Sequence, residues 1–270
     1  IIIVENSKKF ENKDYFTKKY KNLKIICSGS NLGYGNGNNL GLRYVKTKYG
    51  LILNPDVYCS NIFFKNLFDI LKKVKDFHLL GCAYSKDNKT YPAGYFDYNK
   101  NRNFERIINT KKIRLVTKVD WIKGFSIVLN MRKFKQHQIF DKNYFLFLEE
   151  IDLCKSIQKK NGNIYFIKNL KVNHLGFKGS VGASDLEKQN AENLRNWHYM
   201  WSSFYFYKKN YGYFYALNKM FGKFSRAFLK LIIYSIFFQR DKKEKYLFRF
   251  LGIFSSMIGL KSNYRVKKFY

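Results

Sequence analysis

Residues 28–56 read SGSNLGYGNGNNLGLRYVKTKYGLILNPD, and this stretch decides the fold class of the chain. It follows a short apolar run at residues 25–27 and opens with a loop rich in glycine and asparagine. We predict a helix over about residues 38–48 and then an apolar strand at residues 51–53, which ends in Asn54-Pro55-Asp56. Strand, glycine loop, helix and strand in this order predict an α/β sheet.

A glycine loop beside a carboxylate at a strand end also suggests a ligand site. Ligands of open α/β sheets bind at the carboxyl ends of the strands, which is where Asp56 lies. Glycines let the backbone approach a ligand closely, and helix N-termini favour phosphate. The pattern therefore predicts a nucleotide or phosphate site with a metal-binding carboxylate. An ordinary loop is the alternative, because neither the complete dinucleotide fingerprint nor a Walker motif is present.

The composition describes a strongly basic chain. Its 270 residues suit one sizeable domain with an appendage, or two small domains. The net charge of +32 predicts attraction to nucleic acid, anionic lipid or phosphorylated substrates. Coding bias toward Lys, Asn, Ile, Phe and Tyr would also produce such a charge. The cysteines are scattered singly, which argues against a zinc site, implies no disulfide framework and favours a reducing, cytosolic setting.

Apolar runs and polar, periodic segments alternate along the first two thirds of the chain. This alternation predicts a mostly parallel sheet with helices between the strands. The polar, irregular stretch at residues 85–118 predicts a hairpin or a mobile functional loop. The predicted strands are residues 1–4, 25–28, 51–53, 79–84, 119–129, 164–167 and 170–173, and the predicted helices are 14–22, 60–74 and 145–160.

The character of the chain changes after Asp185. Over residues 217–235, apolar side chains repeat every three or four positions, and Lys and Arg repeat in the same way on the opposite side. This pattern is typical of a basic amphipathic helix. The apolar stretches at 227–238 and 247–260 are shorter than the about 20 residues of a membrane span. We therefore predict a basic helical tail at 186–270 on an anionic membrane surface, with an ordinary surface helix as the alternative.

Three of the nineteen carboxylates fall close together in the chain, at Glu149, Glu150 and Asp152. Glu149 and Asp152 share one helix face, and compensation of the helix dipole alone could explain the cluster. Because the cluster emerges from the apolar residues 145–148, one carboxylate can also have the raised basicity of a general base. His174 ends another predicted strand, where it could meet Asp56 and hold a divalent metal, although a lone histidine is more often structural.

In the order in which these motifs occur, the sequence resembles family 2 glycosyltransferases, in particular the rhamnosyltransferase-like branch of the GT-A fold. The resemblance covers about residues 1–180. It implies a Rossmann-like GT-A domain at 1–185, whose first strand precedes Ile1, so that the chain is expected to be truncated at its N-terminus. The matching segments are residues 1–7, 31–41, 51–56, 119–124, 140–141, 144–154 and 174–176.

The resemblance also implies residue roles. Asn54-Pro55-Asp56 resembles the metal-binding DxD motif, so Asp56, with His174, would hold Mg²⁺ or Mn²⁺ against the diphosphate of the donor. Glu150 falls at the place of the catalytic base, although Glu149 and Asp152 remain alternatives. The implied donor-binding residues are Glu5, Asn6, Asn31, Gly33, Gly35, Asn38, Asn39, Asn54 and Asp56, and the implied acceptor-side residues are Trp121, Gly124, Glu149 and Asp152.

The function that the resemblance implies is inverting, metal-dependent transfer of a sugar, which the rhamnosyltransferase-like branch suggests is rhamnose, from a dTDP- or UDP-sugar. The acceptor would be lipid-linked or a polysaccharide of the cell envelope, and the enzyme would lie in the cytoplasm on the inner face of the membrane. The first alternative is a non-catalytic basic protein that binds membrane or nucleic acid, but no nucleic-acid motif is present. A nucleotide-dependent oxidoreductase is the second, and the incomplete glycine fingerprint argues against it.

Overall fold

The computed structural model of the chain describes residues 1–86, 89–95, 114–176 and 184–265. They form two compact units. The first unit takes Ile1–Gly29, Asn38–Phe140 and Glu150–Gly179, and the second takes Ser30–Gly37, Asp141–Glu149 and Ser180–Tyr270. The predicted domain boundary at residue 185 stays a prediction.

The first unit is an α/β domain whose strands and helices alternate as the sequence pattern predicts. Apolar strands carry its core and polar-faced helices connect them. Its strands are β1 Ile2–Glu5, β2 Lys24–Cys27, β3 Tyr49–Leu53, β4 Val57–Tyr58, β5 Leu79–Lys86, β6 Lys89–Tyr91, β7 Gly94–Tyr95, β8 Val116–Lys118, β9 Trp121–Ile122, β10 Ser126–Asn130 and β11 Ile164–His174. The helices along this part of the chain are α1 Lys13–Lys19, α2 Gly33–Leu42, α3 Asn61–Lys73 and α4 Glu149–Gln158. The first five residues of α2 and the first residue of α4 belong to the second unit.

A seven-stranded sheet organises this unit, in the order β3-β10-β5-β11-β4 with β6 paired to β5 and β8 to β11. β5 and β11 run parallel, and β10 lies antiparallel to both β3 and β5. The three long strands β3, β5 and β11 therefore point the same way, which confirms the expected α/β class. β1 and β2 form a separate parallel pair, and β7 and β9 form an antiparallel one.

Helix α3 shows how the sequence pattern builds the core. Ser60 caps this helix, because the Ser60 hydroxyl accepts a hydrogen bond from the Phe63 amide at 3.4 Å. Phe63, Leu67 and Ile70 recur at helical spacing and are buried. They join one apolar cluster with side chains of β5, β10 and β11, such as Val128. This cluster supports the strands whose ends carry the candidate site.

Two of the predicted helices begin elsewhere than expected. Helix α2 spans Gly33–Leu42, so most of the predicted glycine loop is helical and residues 43–48 are not. Its glycines disfavour a helix by about 1 kcal/mol each, but tertiary packing offsets that cost. Gly33 has a φ of +80°, and a Cβ there would overlap the Phe145 carbonyl oxygen. Helix α4 begins only at Glu149, because Phe147 and Leu148 adopt φ values of 71° and 67°.

The second unit holds three long helices, α5 Asp185–Tyr211, α6 Tyr213–Ile236 and α7 Arg240–Met257. Ser184 and Glu187 form a capping box at the start of α5. Gly212, with a φ of +97°, separates α5 from α6. A Cβ at Gly252 would overlap the Trp197 carbonyl oxygen, so glycine lets α7 pack closely on α5. Across the described ranges, no helix has both the length and the apolar character that crossing a bilayer requires.

Candidate active site

Two predicted metal ligands, Asp56 and His174, meet at the edge of the large sheet. β4 follows Asp56 directly and pairs with the end of β11, where Val57 lies opposite His174. The Leu175 amide donates to the Asp56 carbonyl oxygen at 2.9 Å, which ties the two segments together. Asp56 Oδ2 lies 3.2 Å from His174 Nε2, and the two side chains are 29% and 21% exposed. Both groups therefore remain accessible to a ligand.

Aromatic side chains fix the orientation of the His174 ring. The ring stacks on Phe125 at a centroid distance of 4.8 Å, and Tyr84 presents an edge at 6.0 Å. Phe125 also accepts a hydrogen bond from the Asn54 amide through its backbone carbonyl, at 2.9 Å. These contacts hold the turn that carries Asp56 and the histidine in one place. A preorganised pair of this kind costs little further ordering when a ligand binds.

The Asp56–His174 pair fits a divalent cation that is shared with a substrate. In the described part of the chain, no group of three or more His, Cys, Asp and Glu side chains converges as a metal cage would. Mg²⁺ typically uses only one or two protein ligands and completes its shell with water and phosphate oxygens. Imidazole nitrogen and carboxylate oxygen together also suit Mn²⁺. The donor set therefore matches a cation held between the protein and a diphosphate.

Lys123 connects the histidine side of this site with a second carboxylate. Its Nζ donates to the Tyr84 hydroxyl at 3.1 Å and lies 4.7 Å from the Tyr84 ring and 5.6 Å from the Tyr95 ring. Burial works to lower the pKa of Lys123, but its interactions with Tyr95 and Tyr84 outweigh that effect and raise the pKa. Lys123 therefore stays protonated although its neighbours are mostly aromatic side chains.

Glu150 is the most accessible carboxylate of the predicted cluster. Glu149 and Asp152 are each only 3% exposed, whereas Glu150 is half-buried. Burial raises the pKa of Glu150 to about 7, and hydrogen bonds from the Glu150 and Ile151 amides and the charge of Lys123 oppose this rise. A general base works best with a pKa near the working pH. The structure therefore favours Glu150 over its two neighbours as a base.

The acceptor-side residues predicted between β9 and β10 lie beside Lys123 in sequence. Trp121 stacks on Tyr95 at a centroid distance of 4.3 Å, across the β7–β9 pair. Gly124 follows Lys123 in the turn that leads to β10. An aromatic face of this kind is a suitable platform for the apolar face of a sugar ring.

The predicted donor-binding residues are divided between the two units. Glu5 ends β1, where the Ser28 amide and hydroxyl donate to its carbonyl oxygen at 2.9 and 3.1 Å, and Asn6 follows. Asn38 lies in the first unit, within α2. Asn31, Gly33 and Gly35 belong to the second unit, as Glu149 does. In that unit, Asn31 Oδ1 accepts from the Gly33 amide at 3.0 Å at the start of α2.

Asn39 has a structural role within the first unit. It is 4% exposed. Its Oδ1 accepts from the Ile139 and Phe140 amides at 2.9 Å each, and its Nδ2 donates to the Phe140 carbonyl oxygen at 2.8 Å. A buried amide engaged in this way positions the segment at residues 139–140. The donor contact that the sequence suggests for Asn39 stays a prediction.

The sequence reasoning missed Tyr84, Tyr95 and Lys123. Tyr84 ends the predicted strand at 79–84, and its place at the carboxyl end of a strand was a usable signal. Lys123 stands inside the matched segment at 119–124, but a single lysine among the 51 basic residues carries little information by itself. Tyr95 offered no signal, because its role depends on pairing with β9.

Comparison with known proteins agrees with this geometry. Residues 1–134 match the family model described as Glycosyl transferase family 2. The rhamnosyltransferase WbbL of Escherichia coli K12 is 27% identical over 194 residues, which cover 61% of this chain and 70% of that protein. The low-salt glycan biosynthesis hexosyltransferase Agl10 of Haloferax volcanii is 23% identical over 171 residues, which cover 60% of this chain and 54% of that protein.

Among solved structures, GalNAc-T7 with UDP, GalNAc and Mn²⁺ is similar with a TM-score of 0.50 and 11% identity. The similar part covers 65% of this chain and 37% of the GalNAc-T7 chain, so it supports the shared fold and no more. The chain thus spans about half of the archaeal relative and little more than a third of GalNAc-T7. Together with the family match, these findings show that the chain carries a glycosyltransferase family 2 domain at residues 1–134 and has the GT-A fold.

Proposed function

We propose that the chain performs inverting, metal-dependent transfer of a sugar from a nucleoside diphosphate donor to an acceptor hydroxyl. The observation that carries this proposal is the contact network within the first unit. It begins at the Asp56–His174 pair, continues through Tyr84 to Lys123, and reaches Glu150 through electrostatic interaction. This network links the candidate site for the leaving group to the candidate site for the base.

The proposed chemistry divides its tasks among these residues. Asp56 and His174 would hold a divalent cation, which neutralises charge on the departing nucleoside diphosphate when it is bound. The Glu150 carboxylate would take the proton of the acceptor hydroxyl while that oxygen forms its bond to the anomeric carbon. The bond from the anomeric carbon to the phosphate oxygen breaks on the opposite face, so the configuration inverts. Lys123 would keep enough of Glu150 ionised near neutral pH.

The substrates belong to the same proposal. The names of the two relatives, a rhamnosyltransferase and a hexosyltransferase, support a hexose or deoxyhexose as the transferred sugar, and we propose dTDP or UDP as its carrier. A lipid-linked or polysaccharide acceptor of the cell envelope, at the inner face of the membrane, is consistent with helix α6. This helix exposes large apolar side chains such as Phe221 at 67% and Ile236 at 64%, together with exposed Lys219 and Lys223.

The site assignment is tested by transfer and binding assays on the purified chain. We expect Glu150→Gln to lower kcat by about 10²- to 10⁴-fold and to leave donor affinity nearly unchanged, since the base acts only in the chemical step. Asp56→Asn should also lower kcat. In a calorimetric titration, Mn²⁺ should no longer increase the affinity of this variant for a nucleoside diphosphate. Glu11→Gln and Asp69→Asn, both on exposed side chains, are the matched controls. Near-native transfer by both site variants would contradict the assignment.

A further inference from the structure

A pocket of about 250 Å³ lies entirely within the second unit and has no assigned role. Among the described residues, its walls carry four cationic side chains and several aromatic rings, such as Trp201 and Tyr205. No aspartate or glutamate of the described ranges lines it. The four cations are Lys142, Lys208, Lys261 and Arg265.

The pocket is built by a segment that follows α7 and is bound to α5. Trp201 Nε1 donates to the Leu260 carbonyl oxygen at 2.9 Å. His198 bridges the Ser262 hydroxyl and the Tyr264 carbonyl oxygen, at 2.9 Å each. Because a carbonyl oxygen can only accept, Nε2 of His198 carries the proton and Nδ1 accepts from Ser262. These buried hydrogen bonds fix the backbone that presents Lys261 and Arg265.

The pocket cations have no anionic partner among the residues that the structure describes. In the described ranges of the chain, none of the four makes an ion pair with a carboxylate. The nearby Asp141 is paired with Lys209 at 2.7 Å and accepts hydrogen bonds from Tyr205 and Asn143, so its charge is already compensated. Like charges gathered in a recess repel one another and create a strong positive potential. An anion that enters the recess relieves this repulsion.

The size of the pocket and the side chains at its rim restrict the chemical class of ligand that it can bind. A volume of about 250 Å³ lies just below the range of pockets that enclose drug-sized ligands, and it accommodates a head group such as a phosphate or diphosphate. Leu260 lines the pocket and is 55% exposed, and Ile258, two residues before it on the same segment, is 56% exposed. A cationic recess that opens beside exposed apolar side chains matches an amphiphile with an anionic head and a hydrocarbon chain.

We propose that this pocket binds the phosphate or diphosphate group of the lipid-linked acceptor, with the lipid chain against the apolar rim. The identity of the amphiphile as the acceptor rests on the proposed function. Lys208 and Lys261 supply charge-assisted hydrogen bonds to the phosphate oxygens from α5 and from the segment after α7. A recess that holds a single head group differs from a flat basic surface, which would attract the anionic lipids of a bilayer without selecting one of them.

The test is vesicle flotation with the full chain, in the absence of any donor sugar. Neutral phosphatidylcholine vesicles carry either an isoprenyl diphosphate or phosphatidylglycerol, at matched surface charge. We expect Lys208→Gln with Lys261→Gln to weaken binding to the isoprenyl diphosphate vesicles by about tenfold or more. The control, Lys65→Gln with Lys73→Gln, removes the same charge from exposed positions of α3 outside the pocket and should change binding by about twofold at most. Soluble pyrophosphate should compete with the diphosphate vesicles.

Three results would overturn the proposal. Equal losses in the two double variants would show that only overall charge matters, and the same pocket-dependent loss on phosphatidylglycerol would identify a bulk phospholipid site. Failure of pyrophosphate to compete would show that the head group is not what the pocket recognises. Since no sugar transfer is measured, failure of the catalytic proposal would leave this binding result in place.

Discussion

Glu150 illustrates how local surroundings separate three carboxylates that lie within four residues of one another. Glu149 and Asp152 are buried on the inner face of α4, whereas Glu150 keeps access to solvent. Burial still raises the pKa of Glu150, and the amides at the start of the helix together with Lys123 limit the rise. The balance of these effects leaves a carboxylate that can exchange a proton near neutral pH.

The pH dependence of transfer follows from this balance. A general base must be ionised before it can accept a proton, so kcat should increase as the pH rises through the pKa of Glu150, about 7. We expect an inflection near that value in a kcat profile recorded with donor and acceptor at saturation. A rate that is flat across this range would contradict the assignment of Glu150 as the base.

Lys123→Met tests the link between Lys123 and Glu150. The positive charge of Lys123 lowers the pKa of Glu150, so its removal should shift the inflection of the kcat profile toward higher pH. Lys171→Met removes an exposed charge from β11 and is the control, which should leave the inflection in place. A lower inflection in the Lys123 variant would mean that the charge does not act on Glu150.

At the scale of elements, helix propensity does not explain two features. One is the packing of the glycine-rich helix α2, and the other is the backbone strain before the start of α4. α2 forms in spite of its glycines, because Gly33 lets the chain lie against the Phe145 carbonyl. Phe147 and Leu148 hold left-handed backbone conformations directly before Glu149, and each such residue costs about 1–3 kcal/mol. Strain of this kind concentrates at functional sites, and here it stands next to the candidate base.

Gly33→Ala should therefore destabilise the protein markedly. An alanine would have to adopt a φ near +80° and would overlap the Phe145 carbonyl oxygen, so we expect a loss of about 3 kcal/mol. Thermal unfolding followed by circular dichroism would report this as a lower Tm. Gly222→Ala in α6 is the matched control, since no atom lies within 4 Å of the added Cβ. That variant should gain about 0.5–1 kcal/mol from helix propensity, and equal effects at both sites would contradict the packing argument.

At the scale of the whole molecule, each unit has its own means of holding distant segments together. In the first unit, α3 and the strands of the large sheet share one apolar core. In the second unit, polar contacts between α5 and the segment after α7 build the phosphate pocket, and His198 is their centre. Burial lowers the pKa of His198 to about 4, while the hydrogen bond to the Tyr264 carbonyl and the charge of Arg265 have smaller effects.

His198 should make the second unit sensitive to acid. The unfolded chain takes up a proton on this histidine below its ordinary pKa of about 6.5, whereas the folded chain does so only near 4. Stability is therefore complete above the unfolded value and falls by about 3 kcal/mol as the pH drops between the two. Tm measured at neutral and at acidic pH should fall less in His198→Gln than in the native chain, although the variant is less stable at neutral pH. An equal fall in both would contradict this role.

The amino-acid sequence by itself determined the periodic features of this protein. Apolar alternation and capping residues marked most strands and helices, and strand ends marked Asp56 and His174, because periodicity and chain direction are local properties. Only the tertiary structure decided which of Glu149, Glu150 and Asp152 stays accessible, that Asn39 holds a loop, and that the glycine stretch is helical. Burial, pKa and close packing arise from contacts between residues far apart in the chain. No local sequence pattern indicates that Lys123 contacts Tyr84 or that Lys142 and Lys261 line one pocket.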